Sequence, residues 1–448
     1  MPEQSNGTPN GDIRVPWSRS ERPVPRRLLR PLQSFLETEV ASGILLLAAI
    51  AVAQVWANLG HGYQAFWTTE LTMRLGRWVV AEDLRSWVND GLMALFFMVV
   101  GLEIKRELLT GELRDRRVAV LPVVAALGGM IVPALIYLAF TAGTPSASGW
   151  GMVMPTDIAL ALGVLALAMP RAPAGLRIFL LALAIVDDLG SIVVVALFYS
   201  GTLAWGWLGA GAGIVVGVLL LERIHVRAAA VYIVLGVAMW FAFLASGLSP
   251  TLAGVTMGFL TPAVAFQRPR AVSEEAHRVA DLTVDDPFPP DADAEHWLYL
   301  AELSREAVSP LARVETALHP WTSYLVVPLF ALANAGIALS AATLGEAARS
   351  PVALGIVVAR VLGKTVGISL ACFLAVRLGI ARLPSGTSRR HVLGAAAAAG
   401  VPFTVSLFIA EIALPAGQLQ AAKVGIVVAG ALSSLLGFAL LRRAARGE

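Results

Sequence analysis

Residues 176–199 read LRIFLLALAIVDDLGSIVVVALFY, an apolar stretch that carries two adjacent aspartates, Asp187 and Asp188, near its centre. A helix needs about 20 mostly apolar residues to cross about 30 Å of hydrocarbon. An ionisable group at the bilayer centre costs about 2.5 to 3.5 kcal/mol or more, which indicates a functional site. Two carboxylates about 4 Å apart also repel by roughly 4 kcal/mol at an effective dielectric near 20. This pair therefore needs a wet cavity, a cation or protons.

The composition of the whole chain agrees with a membrane environment. Of the 448 residues, 57% are hydrophobic and only 15% are charged. In an ordinary soluble protein, roughly 45 to 50% of the residues are apolar and about 25% are charged. The composition excludes a disordered protein and a soluble enzyme, and a single cysteine, Cys372, excludes an intrachain disulfide.

Further apolar runs resemble the one around the aspartate pair, and we predict an all-α integral membrane protein with about twelve transmembrane helices. The predicted spans lie at 36–57, 87–107, 118–141, 150–169, 176–199, 203–222, 228–245, 247–264, 320–340, 350–376, 391–413 and 420–441. The short run at 247–264 is the weakest of them.

The basic residues predict the orientation in the membrane. An even number of spans places both termini on one side, and Lys and Arg accumulate in cytoplasmic loops. The N-terminal tail and the linkers on its side are rich in arginine, whereas the linkers 142–149, 200–202 and 414–419 contain no Lys or Arg. Of the other opposite linkers, 341–349 has only Arg349, and 58–86 is less clear, with Arg74, Arg77 and Arg85. Both termini are therefore predicted to be cytoplasmic. The net charge of +3 is explained by these basic linkers and does not indicate nucleic-acid binding.

Polar segments divide the chain further. Residues 1–33 are predicted to be a disordered cytoplasmic tail. Spans one to eight occupy 34–264, and spans nine to twelve occupy 317–442, followed by a short tail at 443–448. Between them, 265–316 is polar and acidic and is predicted to be a partly disordered cytoplasmic insertion, with a regulatory or partner-binding role as the alternative.

Two spans contain a proline that should interrupt the helix. Pro155 precedes Thr156 and Asp157 in the span 150–169, and Pro402 lies in the stretch 400–406 of the span 391–413. A proline removes a backbone hydrogen bond and clashes with the preceding turn. Interrupted helices in the two halves of a transporter indicate inverted repeats with a site at their crossing. An ordinary capped kink is the alternative at each position.

Two basic residues lie within the span 350–376. Lys364 is about halfway along it and is interpreted as the counter-charge of the aspartate pair, with snorkelling to the interface as the alternative. Arg360 lies one turn earlier, on the same face. It is either a second counter-charge or a sign that this helix bends toward water.

The chain resembles the NhaA family of sodium/proton antiporters over about residues 35–440, apart from the acidic insertion. The matching stretches are 97–112 (FMVVGLEIKRELLTGE), 128–140 (GGMIVPALIYLAF), 156–163 (TDIALALG), 176–200, 319–321 (HPW), 328–336 (PLFALANAG), 363–370 (GKTVGISL) and 403–410 (FTVSLFIA).

This resemblance implies twelve helices in inverted repeats, with the fourth and eleventh discontinuous and crossing near mid-membrane. It implies that Asp187 and Asp188 bind Na⁺ or Li⁺ and protons and that Lys364 pairs with Asp187 as its counter-charge. Thr156 and Asp157, at the crossing, would belong to the same ion- and proton-binding site. It also implies two protons inward per sodium outward, no cofactor, a bacterial inner membrane and a homodimer. A cytoplasmic pH-responsive cluster would contain Glu103, Arg106, Glu107, Glu315 and His319, although these residues could instead form a solvated helix end.

Several positions depart from the pattern of the family. Ser249 and Thr316 stand where well-known members have histidines associated with pH response, so the pH profile is expected to differ. Pro402 replaces a glycine, Arg360 replaces an uncharged residue, and the insertion is longer. None of these departures touches the aspartate pair.

The predicted function is Na⁺ export in exchange for protons by alternating access. One alternative is an intramembrane aspartyl protease, since paired aspartates can share a proton and activate water. The adjacency of Asp187 and Asp188 and the presence of Lys364 argue against it. A cation channel is the other alternative, and it would conduct without Na⁺-dependent proton flux.

Overall fold

The computed structural model describes residues 39–446 apart from 61, 76–77, 112–113, 115, 200–202, 225, 227–228, 283–290 and 339. The predicted tail at 1–33 lies outside these residues, so its disorder stays a prediction.

The first half of the chain is helical, with one small hairpin. Its elements are α1 (Glu39–Asn58), α2 (Gly62–Trp67), β1 (Glu70–Leu75), β2 (Trp78–Asp83), α3 (Leu84–Leu109), α4 (Arg116–Thr141), a 3₁₀ helix (Pro145–Val153), α5 (Ile158–Ala168), α6 (Ala174–Phe198), α7 (Trp205–Arg223), α8 (Ala229–Ser246) and α9 (Thr251–Leu260). The antiparallel hairpin of β1 and β2 lies in the linker between the first two predicted spans, where no strands were expected.

Every secondary-structure element described in the second half of the chain is helical. It contains α10 (Pro269–Leu282), α11 (Asp291–Glu306), α12 (Pro310–Trp321), a π turn (Thr322–Val326), α13 (Val327–Asn334), α14 (Ala341–Arg349), α15 (Pro351–Arg377), α16 (Arg389–Ala398), α17 (Thr404–Ala413) and α18 (Ala416–Ala445). Helices α10 and α11 flank residues 283–290 of the predicted insertion and pack on each other through Val272, Val279 and Leu300.

The all-α membrane fold is confirmed, and each predicted span contains a helix. Among the described residues, seven helices are long and apolar enough to cross a membrane, or eight if the 3₁₀ helix and α5 count as one span bent by 50°. The other predicted spans correspond to shorter or interrupted helices. The weakest prediction, 247–264, contains only the ten residues of α9.

Apolar side chains cover the outside of these helices as well as the inside. Leu135 on α4 is 62% exposed, and Val237 on α8 is 58% exposed. Such surfaces are unfavourable in water and favourable against lipid tails. A small set of polar and charged side chains, including Asp187, Arg360 and Lys364, is buried in the interior. There α4, α6, α15 and the two interrupted helices meet.

Candidate functional site

The first interrupted helix breaks between the 3₁₀ helix and α5. Pro155 lies in the non-helical stretch, where its missing N–H costs no helical hydrogen bond. Asp157 is the N-cap of α5, with its Oδ1 accepting from the backbone N–H of Leu160 at 3.2 Å. A side-chain oxygen at this position satisfies one of the free N–H groups of the first turn. The predicted break is therefore present where Pro155 placed it.

The second break separates α16 from α17 and lies against the first. The backbone N–H of Asp157 donates to the carbonyl of Val401 at 3.1 Å. The Thr156 hydroxyl lies 2.9 Å from the carbonyl oxygen of Ala399. Pro402 also lies in a non-helical stretch and removes no helical hydrogen bond. The two interrupted helices thus cross and satisfy each other's free backbone groups.

Asp157 joins the two half-helices that begin at this crossing. Its Oδ2 lies 3.4 Å from the backbone nitrogen of Thr404 and 3.2 Å from the Thr404 hydroxyl, at the start of α17. Its Oδ1 meanwhile caps α5. Helix N-termini carry partial positive charge, so one carboxylate stabilises both.

The aspartate pair lies in the middle of α6. Asp187 is fully buried, and its Oδ2 is 2.7 Å from the Lys364 Nζ and 2.7 Å from the Thr156 hydroxyl. Asp188 is 7% exposed. Within the described part of the chain, the Oδ1 atoms of both aspartates lack a hydrogen-bond partner. Unpaired carboxylate oxygens are suitable ligands for a hard cation or a proton.

Lys364 lies in a π-helical segment of α15, Ala359–Lys364. Its side chain is fully buried, so snorkelling toward the interface is excluded. Besides Asp187 it contacts the carbonyl of Met154, just after the last turn of the 3₁₀ helix. A cation at a helix C-terminus compensates the free carbonyl groups there. The structure therefore brings together Thr156, Asp157, Asp187 and Lys364, with Asp188 adjacent.

Arg360 lies at the start of the same π-helical segment and is also fully buried. Its Nη1 donates to the carbonyl of Val153 at 3.1 Å, and its Nη2 donates to the Ser406 hydroxyl of α17 at 2.8 Å. The alternative that α15 bends toward water at this residue is therefore wrong. The buried position instead agrees with a charge that belongs to the site.

Four of the predicted pH-response residues form one cluster. The Arg106 guanidinium on α3 pairs with Glu315 on α12 and lies 3.5 Å from Glu107. Glu103 interacts electrostatically with all three. His319 is exposed, and no described contact connects it to the cluster.

A second buried ion pair was not predicted from the sequence. Glu411 on α17 lies 2.7 Å from Lys423 on α18, and both side chains are almost fully buried. Lys423 was visible as a lone lysine within an apolar run, which was the signal available. Ser406 was missed as well, because a serine in an apolar helix gives no sign of its partner.

An all-helical chain with an apolar exterior, two crossing interrupted helices and buried carboxylates beside a lysine defines the class of ion-translocating membrane proteins. The sequence profile of the family described as Na+/H+ antiporter 1 matches residues 33–441. The chain belongs to this family of Na⁺/H⁺ antiporters, and it is a transporter and no enzyme.

Two sequence relatives agree with this assignment. The Na(+)/H(+) antiporter NhaA 2 of Sorangium cellulosum is 45% identical over 94% of this chain and 91% of its own length. The Na(+)/H(+) antiporter NhaA of Oleidesulfovibrio alaskensis is 44% identical over 94% of this chain and 96% of its own. The solved sodium proton antiporter MjNhaP1 of Methanocaldococcus jannaschii is a distant likeness, with 14% identity, a TM-score of 0.46 and 90% of each chain covered.

Proposed function

We propose that this protein exports Na⁺ or Li⁺ across the bacterial inner membrane in exchange for protons, and that ion and protons compete for Asp187 and Asp188. The observation that carries the proposal is the pair of unpaired Oδ1 atoms on adjacent buried aspartates beside the Lys364 ammonium. In the inward-open state the carboxylates release protons and bind the cation. In the outward-open state protons displace it.

Coupling follows from the shared ligands, because one pair of carboxylates cannot hold both loads. We propose two protons per sodium, on the resemblance to the NhaA family. One net charge then moves inward per cycle, and the membrane potential contributes about 2.3 kcal/mol per 100 mV to sodium export. The transported ions are substrates, and the cycle requires no cofactor.

We further propose that the cluster of Glu103, Arg106, Glu107 and Glu315 adjusts the activity to cytoplasmic pH. The cluster joins α3 to α12, and α3 also packs closely on α9. A change of charge on these acids would therefore alter how the helices pack. His319 is exposed on the same helix as Glu315, and the proposal does not depend on it.

The test is proton flux in everted membrane vesicles, followed by fluorescence dequenching on addition of Na⁺, Li⁺ or K⁺. Asp188→Asn should abolish the Na⁺-dependent signal, because the asparagine amide does not titrate and carries no negative charge to bind the cation beside Asp187. Glu302→Gln, which removes an exposed carboxylate from α11, is the matched control and should exchange like the wild type. Retained exchange in Asp188→Asn contradicts the assignment, and a Na⁺ current without proton flux would favour a channel.

A further inference from the structure

The crossing contains more positive charge than the proposed exchange requires. Lys364 alone pairs with Asp187, at 2.7 Å, yet the guanidinium of Arg360 is buried in the same region. Arg360 is the largest of the fully buried side chains in the described residues. A buried charge is costly unless it is paired, so its position calls for an explanation.

The hydrogen bonds of Arg360 reach both interrupted helices. Nη1 donates to Val153 at the end of the 3₁₀ helix, and Nη2 donates to Ser406 in α17. Together with the contact of Lys364 to the Met154 carbonyl, two cations of α15 cover the negative end of the 3₁₀ helix. The Arg360 side chain is thus held in place from two directions, while its Nε makes no hydrogen bond within the described structure.

The charged groups that face Arg360 come from α5, from α6 and from its own helix α15, whereas α4, α16 and α18 pack against its segment without contributing one. Asp157 at the start of α5 and Asp187 and Asp188 on α6 attract it, and Lys364 on its own helix repels it. When all five groups are ionised, three negative charges oppose two positive charges, which leaves one net negative charge. Without Arg360 the same site would carry two.

We propose that Arg360 is a fixed second counter-charge, a positioning residue that binds no ion itself and lowers the affinity of the aspartate pair for both Na⁺ and protons. This inference rests on the proposed function, in which Asp187 and Asp188 hold the ion. Buried net charge is unfavourable, so a site with one net negative charge attracts cations and protons less strongly than a site with two. Arg360 therefore sets how strongly the empty site attracts its load.

The test compares variants that separate the charge from the hydrogen bonds. Arg360→Gln removes the charge and keeps a hydrogen-bond donor. Arg360→Lys keeps the charge and loses the paired Nη donors that reach Val153 and Ser406. At alkaline pH, where protons compete least, the apparent KM for Na⁺ should fall on the order of tenfold in Arg360→Gln, the size expected for a unit charge in electrostatic range. Arg360→Lys should stay close to the wild type.

The pH profile provides a second measurement that a merely structural role would not move. Protons gain affinity together with Na⁺, so the pH of half-maximal exchange in Arg360→Gln should rise by about one unit, again for a tenfold change. Equal KM values and pH profiles in the wild type and in folded Arg360→Gln would overturn the proposal. So would equal shifts in Arg360→Gln and Arg360→Lys.

A charge-balanced double variant keeps the proposal testable if Arg360→Gln fails to fold. Asp157→Asn combined with Arg360→Gln restores one net negative charge, and asparagine remains a good N-cap for α5. The double variant should recover folding, or bring the apparent KM back toward the wild-type value. A double variant no closer to the wild type than Arg360→Gln contradicts the proposal. Loss of the Asp188 assignment would instead show as Na⁺-dependent exchange retained in Asp188→Asn, whatever the Arg360 variants do.

Discussion

The hydroxyl of Thr156 lies between the aspartate pair and the second break. Its Oγ1 is 2.7 Å from Oδ2 of Asp187 and 2.9 Å from the carbonyl oxygen of Ala399. A hydroxyl has one proton to donate, so it serves one of these acceptors at a time. Thr156 can therefore donate to either Asp187 or Ala399, depending on the charge of Asp187. In this way the ion or proton bound at Asp187 affects a hydrogen bond at the crossing of the two helices.

Removing this hydroxyl should weaken both the fold and the site. Thr156→Val keeps the shape of the side chain and leaves a buried acceptor without its donor, which costs about 1 to 3 kcal/mol. We expect a lower free energy of unfolding by that amount and a higher apparent KM for Na⁺. Thr156→Ser keeps the hydroxyl and is the control. Thermal unfolding in detergent and vesicle exchange measure the two effects, and a Thr156→Val variant equal to Thr156→Ser would refute this role.

Helix α15 reaches the site because glycines let it approach α4 closely. A Cβ on Gly367 would clash with the backbone carbonyl of Gly128, and a Cβ on Gly128 would clash with that of Gly367. At Gly129, a Cβ would lie 3.5 Å from the Cε of Lys364. Small residues at such an interface allow the backbones to touch. The glycine pair therefore fixes the depth at which Lys364 and Arg360 lie.

Gly367→Ala should move α15 away from α4. The methyl group meets backbone that cannot rotate away, and overpacking of this kind costs about 1 to 3 kcal/mol. The melting temperature and the rate of exchange should both fall, because Lys364 moves with the helix. Gly213→Ala in α7 is the matched control: the added methyl lies in open space and alanine favours a helix, so stability should hold or rise. A thermostable, fully active Gly367→Ala variant would contradict the close approach.

How far these elements could be predicted from sequence depends on whether the signal is local. Pro155 and Asp157 identify the first break because a missing N–H and a capping carboxylate act within one turn. The buried charges of Asp187, Asp188 and Lys364 stand out against apolar neighbours for the same reason. The two hydrogen bonds from the Arg360 guanidinium to Val153 and Ser406 each join residues more than 40 positions apart in the sequence. No local sequence pattern predicts such contacts. The β1–β2 hairpin was missed because the predictions for this linker rested on hydropathy and charge, and neither reports the pairing of two short strands.

The distribution of charge over the whole molecule predicts its orientation in the membrane. Arg and Lys are absent from the linkers 142–149, 200–202 and 414–419, and they are frequent in the linkers on the other side. The inner leaflet is negative and attracts basic segments, which explains the bias. The same rule predicts that the α10–α11 pair and the cluster around Arg106 face the cytoplasm. The proposed response of this cluster to cytoplasmic pH depends on this predicted orientation, because the cluster must face the compartment whose pH it reports.

Single cysteines can establish the orientation directly. In a background of Cys372→Ala, which replaces a buried thiol, Ala294→Cys marks α11 and Ala142→Cys marks the turn after α4; both positions are exposed. A membrane-impermeant maleimide should label Ala294→Cys in everted vesicles and Ala142→Cys in right-side-out vesicles, because each thiol then faces the reagent. The Cys372→Ala background without a new cysteine is the control and should stay unlabelled in both. The reverse pattern would place the Arg106 cluster on the outside, and its proposed response to cytoplasmic pH would fail together with the predicted topology.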